Sequence, residues 1–115
     1  MTSTTVTSEV RELADALVGA DSAIDQIVHG LLALHHTEHD AEQLGSVLPR
    51  LAGEESVLRL IALVVEAKAD SKPVQDLDAS DRHAAKAALH TLTADLDRIA
   101  DRADADKAAW HLDPA

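Results

Sequence analysis

The stretch SVLRLIALVVEAK, Ser56 to Lys68, is apolar almost throughout, since only Arg59 is polar between Val57 and Val65. The chain has 115 residues with no Phe, no Tyr and a single Trp, so its core must be aliphatic. A helix in a small bundle buries one stripe a little over ~100° wide. One stripe cannot bury this whole segment, because its other large aliphatic side chains spread around the remaining circumference: Val57, Leu60, Ile61, Leu63 and Val64.

The charge of the chain excludes several classes of function. It carries 21 acidic and 10 basic residues, a formal charge of −11, so it would repel nucleic acids and anionic membranes and favour a partner with a basic surface.

The absence of cysteine excludes disulfides and thiolate metal sites. The start MTSTTVTSEV lacks the features of a secretory signal, and no apolar run approaches the ~20 residues that span a bilayer. We therefore expect a soluble, cytoplasmic protein, with a composition typical of high-GC bacteria.

Three stretches repeat apolar residues at an average spacing of 3.5, the pattern of a coiled-coil seam. The first runs from Val6 to Leu34, the second from Ala41 to Ala69, and the third from Ala85 to Trp110. We predict an all-α fold, an elongated antiparallel three-helix bundle with coiled-coil-like packing. Residues 1–115 form a single domain in this prediction, with a disordered start at 1–6, a linker at 71–80, and a tail or helix extension at 104–115.

Two positions leave the number of helices open. Gly19 is predicted to lie inside one helix from about Ser8 to His36; the alternative is a break there, with Asp21 or Ser22 capping a new helix and four helices in all. Pro49 is predicted to kink the second helix; the alternative is a stop and restart near Gly53.

The exposed part of the central segment predicts self-association, because apolar patches on soluble proteins usually mark interfaces. We expect two copies to pair as a homodimer through Val57, Leu60, Ile61, Leu63 and Val64, with Arg59 neutralised by Glu55 four residues earlier. The alternative is a monomer in which residues such as Val28 and Leu32 cover the segment.

Histidines and carboxylates cluster in HGLLALHHTEHDAE, residues 29–42. His35 with His39, and His36 with Asp40, have the spacing that places two ligands on one helix face, so these four residues are candidate ligands for zinc, nickel or iron. The favoured alternative is that cationic histidines end one helix and carboxylates begin the next, with Thr37 and Asp40 at the N-terminus of the new helix.

Trp110 falls in phase with the third seam, which favours a plug at the end of the bundle over a projecting anchor for a partner. No nucleophile elbow or glycine-rich phosphate loop occurs, so we expect neither an enzyme nor a cofactor. The leading functional hypothesis is an acidic, non-catalytic helical protein acting through helix–helix association, as a homodimeric adaptor or regulatory subunit. The alternatives are an acidic inhibitor of a basic partner, of antitoxin, immunity-protein or nucleic-acid-mimic type, and a metal-binding bundle.

Overall fold

The computed structural model describes the backbone of residues 2–112 and the side chains of residues 5–112. All regular secondary structure in that part of the chain is α-helical, as predicted. The helices are α1 (Thr2–Leu17), α2 (Ser22–His36), α3 (Ala41–Ala52), α4 (Val57–Lys68), α5 (Lys72–Gln75), α6 (Ala79–Asp101) and α7 (Asp104–Leu112). The helices form two compact units, unit 1 (Met1–Glu38) and unit 2 (His39–Ala115). The helix packing is compatible with a helical bundle. That the two units form one domain stays a prediction.

A break at Gly19 separates α1 from α2, so the prediction of one helix through this residue is wrong and the alternative is confirmed. Gly19 has a φ of +100°, a left-handed conformation that ends a helix and that glycine adopts without strain. Asp21 then caps α2 by accepting hydrogen bonds from the N–H groups of Ala23 (2.8 Å) and Ile24 (3.1 Å). The 3.5-residue spacing of apolar residues continues across the break, and for that reason the spacing did not reveal the break.

Unit 1 is an antiparallel hairpin of α1 and α2. Ala14 and Val28 are the buried side chains of the two helices, and the hydroxyl of Thr7 lies 3.3 Å from Nε2 of His35. Thr7 and Ala14 therefore lie on the face of α1 that packs against α2. The contact between the two helices is made by small and medium-sized side chains. Residues 2–6, predicted to be disordered, belong to α1; Met1 lies outside the described residues.

In unit 2, α3 stops before Gly53 and α4 restarts at Val57, as in the alternative prediction, so the chain bends there and not at Pro49. Pro49 is accommodated inside α3, and the helix ends at Gly53, whose N–H donates to the carbonyl of Pro49 (2.8 Å). A Cβ on residue 53 would lie 2.6 Å from that carbonyl oxygen, so the turn requires glycine. Ser56 then caps α4 by accepting from the N–H of Arg59 (3.2 Å).

The third predicted helix is likewise divided, because Ala103 adopts a left-handed φ of 57° between α6 and α7. Residues 104–112 therefore form a separate helix; residues 113–115 of the predicted tail lie outside the described part. The break faces the Gly53 turn, since Asp106 Oδ2 would lie 3.0 Å from a Cβ on Gly53. With α3–α4 and α6–α7 each counted as one bent helix, the chain has four long helices, as in the alternative prediction.

Small side chains form the contact between α4 and α6. Ala62, Thr93 and Ala100 are buried there, and the Thr93 hydroxyl lies 3.4 Å from the carbonyl oxygen of Ala62 and 2.9 Å from that of Leu89. Among the described residues, no large side chain is fully buried. The predicted linker at 71–80 contains α5, and Asp78 caps α6, which begins at Ala79, so the linker is two residues shorter than predicted.

The two exposed glycines of unit 1 give a test of the break. Gly19→Ala should lower the free energy of unfolding of unit 1 by about 1 to 2 kcal/mol, because alanine is strained in a left-handed conformation. Gly30→Ala should raise it by up to ~1 kcal/mol, since Gly30 is helical and a Cβ there meets no atom within 4 Å. Urea unfolding followed by circular dichroism measures both; a stabilising Gly19→Ala would contradict the break.

Candidate functional site

The most distinctive surface lies on α4, which is apolar around nearly its whole circumference but packs on one side. Ala62 is fully buried against α6, with Leu58 and Val65 half-buried beside it. The opposite arc, about 160° wide at 3.6 residues per turn, is exposed. All five apolar residues predicted for the interface lie on it: Val57, Leu60, Ile61, Leu63 and Val64. Leu60 is 60% exposed.

Arg59 does not share that arc. Its Nε lies 3.2 Å from Oδ1 of Asp97, and a second guanidinium nitrogen lies 3.4 Å from Oδ1 of Asp101, both on α6. The predicted partner Glu55 is an exposed residue of the loop before α4. The prediction of an Arg59–Glu55 pair is therefore wrong, because α4 starts only at Val57 and the two residues do not share a helix.

The α4–α6 pair has one charged edge and one apolar edge. Arg59 with Asp97, Ala62 with Thr93, and Asp70 with Lys86 (3.7 Å between charged atoms) establish an antiparallel register. Viewed along α6, Asp97 and Asp101 lie about 40 to 80° from Thr93 in one direction around the helix. Leu92 and Ile99 lie about 100 to 120° from Thr93 in the opposite direction.

The exposed Leu92 and Ile99 thus lie level with Val64 and Val57, on the edge away from the ion pairs. We call the five exposed α4 residues together with Leu92 and Ile99 the α4–α6 surface. Two adjacent helices contribute to it, whereas the sequence had indicated a single helix.

The histidine cluster is divided by a helix end. His35 and His36 form the last turn of α2, and Thr37 is its C-cap, donating its hydroxyl to the carbonyl of Ala33 (2.7 Å). His39 follows outside any helix, so neither predicted ligand pair lies on one helix face. In the described part of the chain, no group of three or more His, Cys, Asp or Glu residues could hold a metal ion. Metal binding stays a prediction.

Asp40, the fourth candidate ligand, caps α3. Its carboxylate accepts from the N–H of Gln43 (2.8 Å), and the Gln43 side chain accepts from the N–H of Asp40 (3.0 Å), which completes a capping box. Of the two residues predicted at the N-terminus of the new helix, Asp40 caps α3, whereas Thr37 ends α2. His35 and His36 lie in the last turn of α2, and Glu42 lies in the first turn of α3, which is the order that the helix-terminus interpretation requires.

Trp110 is 62% exposed on α7, so the predicted plug at the end of the bundle is wrong. It borders an open groove of about 400 Å³ between α3 and α7. The groove is lined by Glu42, Gly45, Ser46, Asp106 and Ala109 as well. The alternative, that Trp110 is an anchor for a partner, stays a prediction.

Sequence reasoning missed a second apolar surface, on unit 1. Six large residues of the first predicted seam are exposed and form a stripe along the hairpin, whereas Val10 and Leu34 are half-buried. We call the exposed six the hairpin stripe: Val6, Leu13, Leu17, Ile24, Ile27 and Leu31. The heptad pattern identified these residues correctly but assigned them to the core. The small residue next to them, Ala14, makes the contact with α2 instead.

Comparison with protein-family models, with curated proteins and with solved structures finds no match to this chain. Within residues 2–112, no helix combines the length and the apolar character needed to cross a bilayer.

A double-mutant cycle tests the position of Arg59. Arg59→Met and Asp97→Asn should each lower the free energy of unfolding of unit 2 by up to ~1 kcal/mol and show a coupling of a few tenths of that, as expected for a half-exposed ion pair. Arg59→Met combined with Glu55→Gln should be additive. Urea unfolding measures the three single and two double variants, and a coupling to Glu55 alone would contradict the observed pair.

The single tryptophan makes its own exposure measurable. Trp110 emission should resemble that of free N-acetyl-tryptophanamide, and acrylamide should quench it almost as strongly, because water reaches most of the indole. Trp110→Ala should change the free energy of unfolding by less than ~1 kcal/mol, as for other surface substitutions. Blue-shifted emission with protection from acrylamide would restore the plug interpretation.

Proposed function

We propose that this chain is a non-catalytic, acidic helical protein that acts through helix–helix association, as a cytoplasmic homodimeric adaptor or regulatory subunit. The observation that supports it best is the α4–α6 surface. Seven large aliphatic side chains on two adjacent antiparallel helices are exposed, although each fully buried Leu, Ile or Val would contribute ~1.5 to 3 kcal/mol. Exposure on that scale favours an interface over a free surface.

The distribution of charge favours a second copy as the occupant. A chain of formal charge −11 repels its own kind, so two copies can meet only where carboxylates are absent. Asp97 and Asp101 lie on the opposite edge of the pair, bound to Arg59. Lys68 is the one charged side chain within the α4 arc, and its aliphatic stem can lie along the apolar surface while the ammonium group stays in water.

The size of the surface also suits a dimer. A 12-residue helix is about 18 Å long, and its face alone is narrow compared with the ~800 Å² per partner of a stable interface. Leu92 and Ile99 widen it across a second helix. Two copies related by a twofold axis would pack α4 and α6 of one against the same pair of the other, which gives four helices in the contact.

The monomer alternative requires other residues to cover α4. Val28 and Leu32, the residues predicted to do so, lie on the face of α2 that packs against α1 within unit 1. Their packing surface is therefore already used.

The sequence features that favour a non-catalytic role are the lack of a nucleophile elbow and of a glycine-rich phosphate loop. We therefore propose that this protein acts by binding through its exposed apolar surfaces.

Light scattering after size exclusion tests the dimer. The wild-type chain should have a mass of about twice 12.2 kDa, and Leu60→Glu combined with Leu63→Glu should give a monomer of unchanged helicity. Two carboxylates in an apolar contact would be desolvated without partners, which disfavours association strongly.

Leu13→Glu is the matched control, because Leu13 is as exposed as Leu60 but belongs to unit 1. It should leave the dimer intact. A wild-type monomer at tens of micromolar concentration would refute the proposal, and so would a dimer that survives the Leu60/Leu63 double substitution.

A further inference from the structure

The hairpin stripe of unit 1 is a groove between two parallel rows of aliphatic side chains. In α1, Leu13 and Leu17 lie about 60 to 100° around the helix from the contact residue Ala14. In α2, Ile24, Ile27 and Leu31 lie about 40 to 100° from Val28 in the same sense. Because the helices are antiparallel, equal offsets bring both rows to one side of the hairpin. A row on each of two adjacent helices is the shape that receives one further helix.

Unit 1 has little to hold it together without such a third element. Ala14 and Val28 are its only buried side chains among those described. Isolated helices of about 15 residues are marginal in water, and most helix stability in proteins comes from packing an apolar face. A helix laid into the stripe would complete a three-helix arrangement and bury residues that the hairpin itself leaves exposed.

The charge of unit 1 identifies the kind of helix. Arg11 is the one Lys or Arg residue of unit 1, against six carboxylates: Glu9, Glu12, Asp15, Asp21, Asp25 and Glu38. Glu9 and Glu12 are exposed along the edge of α1 next to Leu13, whereas Arg11 lies towards the opposite side. A second copy would bring the same excess of carboxylates to the contact. A helix that carries Lys and Arg beside an apolar face would be attracted instead.

We propose that the hairpin stripe is the docking site for a basic amphipathic helix of another protein. The apolar face of that helix packs on Leu17, Ile24 and Ile27, and its cationic flank faces Glu9 and Glu12. This surface is separate from the α4–α6 surface and does not depend on the proposed dimer. It gives the acidic-inhibitor hypothesis a location on the chain.

A synthetic probe peptide tests the proposal on the full-length chain. The probe is an 18-residue helix with Leu at helical i, i+3, i+4, i+7 spacing and Lys at the flanking positions. It should bind by isothermal titration calorimetry, and binding should weaken several-fold when salt is raised to about 0.5 M, since screening reduces the charge attraction. Amides of α1 and α2 should exchange more slowly with deuterium in the complex, and those of α4 and α6 should not.

Two pairs of variants locate the site. Leu17→Gln with Ile27→Gln should weaken binding about tenfold or more, because it removes two aliphatic anchors. The matched control, Leu60→Gln with Leu63→Gln, should leave the affinity unchanged. Glu9→Gln with Glu12→Gln keeps the hairpin fold and should weaken binding a few-fold and flatten its salt dependence.

Four results would overturn the proposal. These are no binding of the probe, equal binding of a peptide with Glu in place of Lys, equal binding of a peptide whose Leu positions are scrambled, and loss of binding in the Leu60/Leu63 control. Occupation by a second copy would appear as a lower mass of the Leu17/Ile27 variant in light scattering, and this too would overturn it. Helicity measured by circular dichroism on each variant separates a lost site from a lost fold.

Discussion

Small side chains at the contacts between helices determine how this chain folds and what it exposes. The buried positions are Ala14, Ala62, Ala69 and Ala100, with Val28 and Thr93, and a glycine at 53. Alanine has no side-chain entropy to lose on burial and lets two helix backbones approach closely. The large aliphatic residues beside each alanine are then too wide for the contact and lie along its flanks.

The displaced Leu, Ile and Val residues form continuous faces because every helix pair in question is antiparallel. An equal offset from the contact line on two antiparallel helices leads to the same side of the pair. In α4–α6 that side is apolar, and the other side carries the Arg59 ion pairs with Asp97 and Asp101. The ion pairs contribute little to stability at this exposure. Asp95, the carboxylate nearest to Leu92 and Ile99 on α6, is paired with Arg98 (2.9 Å).

The sequence predicts the helical class, several of the caps and the exposed residues of α4, because these depend on local chemistry and on amphipathic period. It gives the helix breaks at Gly19 and Gly53 only as the less favoured alternatives, and it does not predict the break at Ala103. The 3.5-residue phase continues across all three, since a turn of suitable length restores the register of the next helix. The left-handed conformation of Ala103 has no local signal, because alanine is otherwise the strongest helix former.

The phase of the seam misleads for a related reason. Periodicity identifies a stripe of large apolar residues but cannot say whether the contact lies on that stripe or on the alanines next to it. Leu13 and Ala14 are neighbours in sequence and about 100° apart on the helix, and only the second packs inside unit 1. Trp110 is also in phase with its seam and yet 62% exposed. The exposed arc of α4 was predicted correctly since its apolar residues occupy every direction.

Charge then distinguishes two surfaces that are alike in their aliphatic composition. Unit 2 contains most of the cations of the chain, and six of them form ion pairs within it: Arg59, Lys72, Lys86, Arg98, Arg102 and Lys107. These pairs engage six of the fifteen carboxylates of unit 2, and among them are Asp95, Asp97 and Asp101 beside the α4–α6 surface. The charge that borders this surface is therefore compensated locally, and such a face can meet its own copy. The carboxylates of unit 1 have only Arg11 to balance them. The hydrophobic effect is non-directional, so either face could bury any apolar partner. The uncompensated charge beside the hairpin stripe therefore favours a cationic helix over a second copy at that surface.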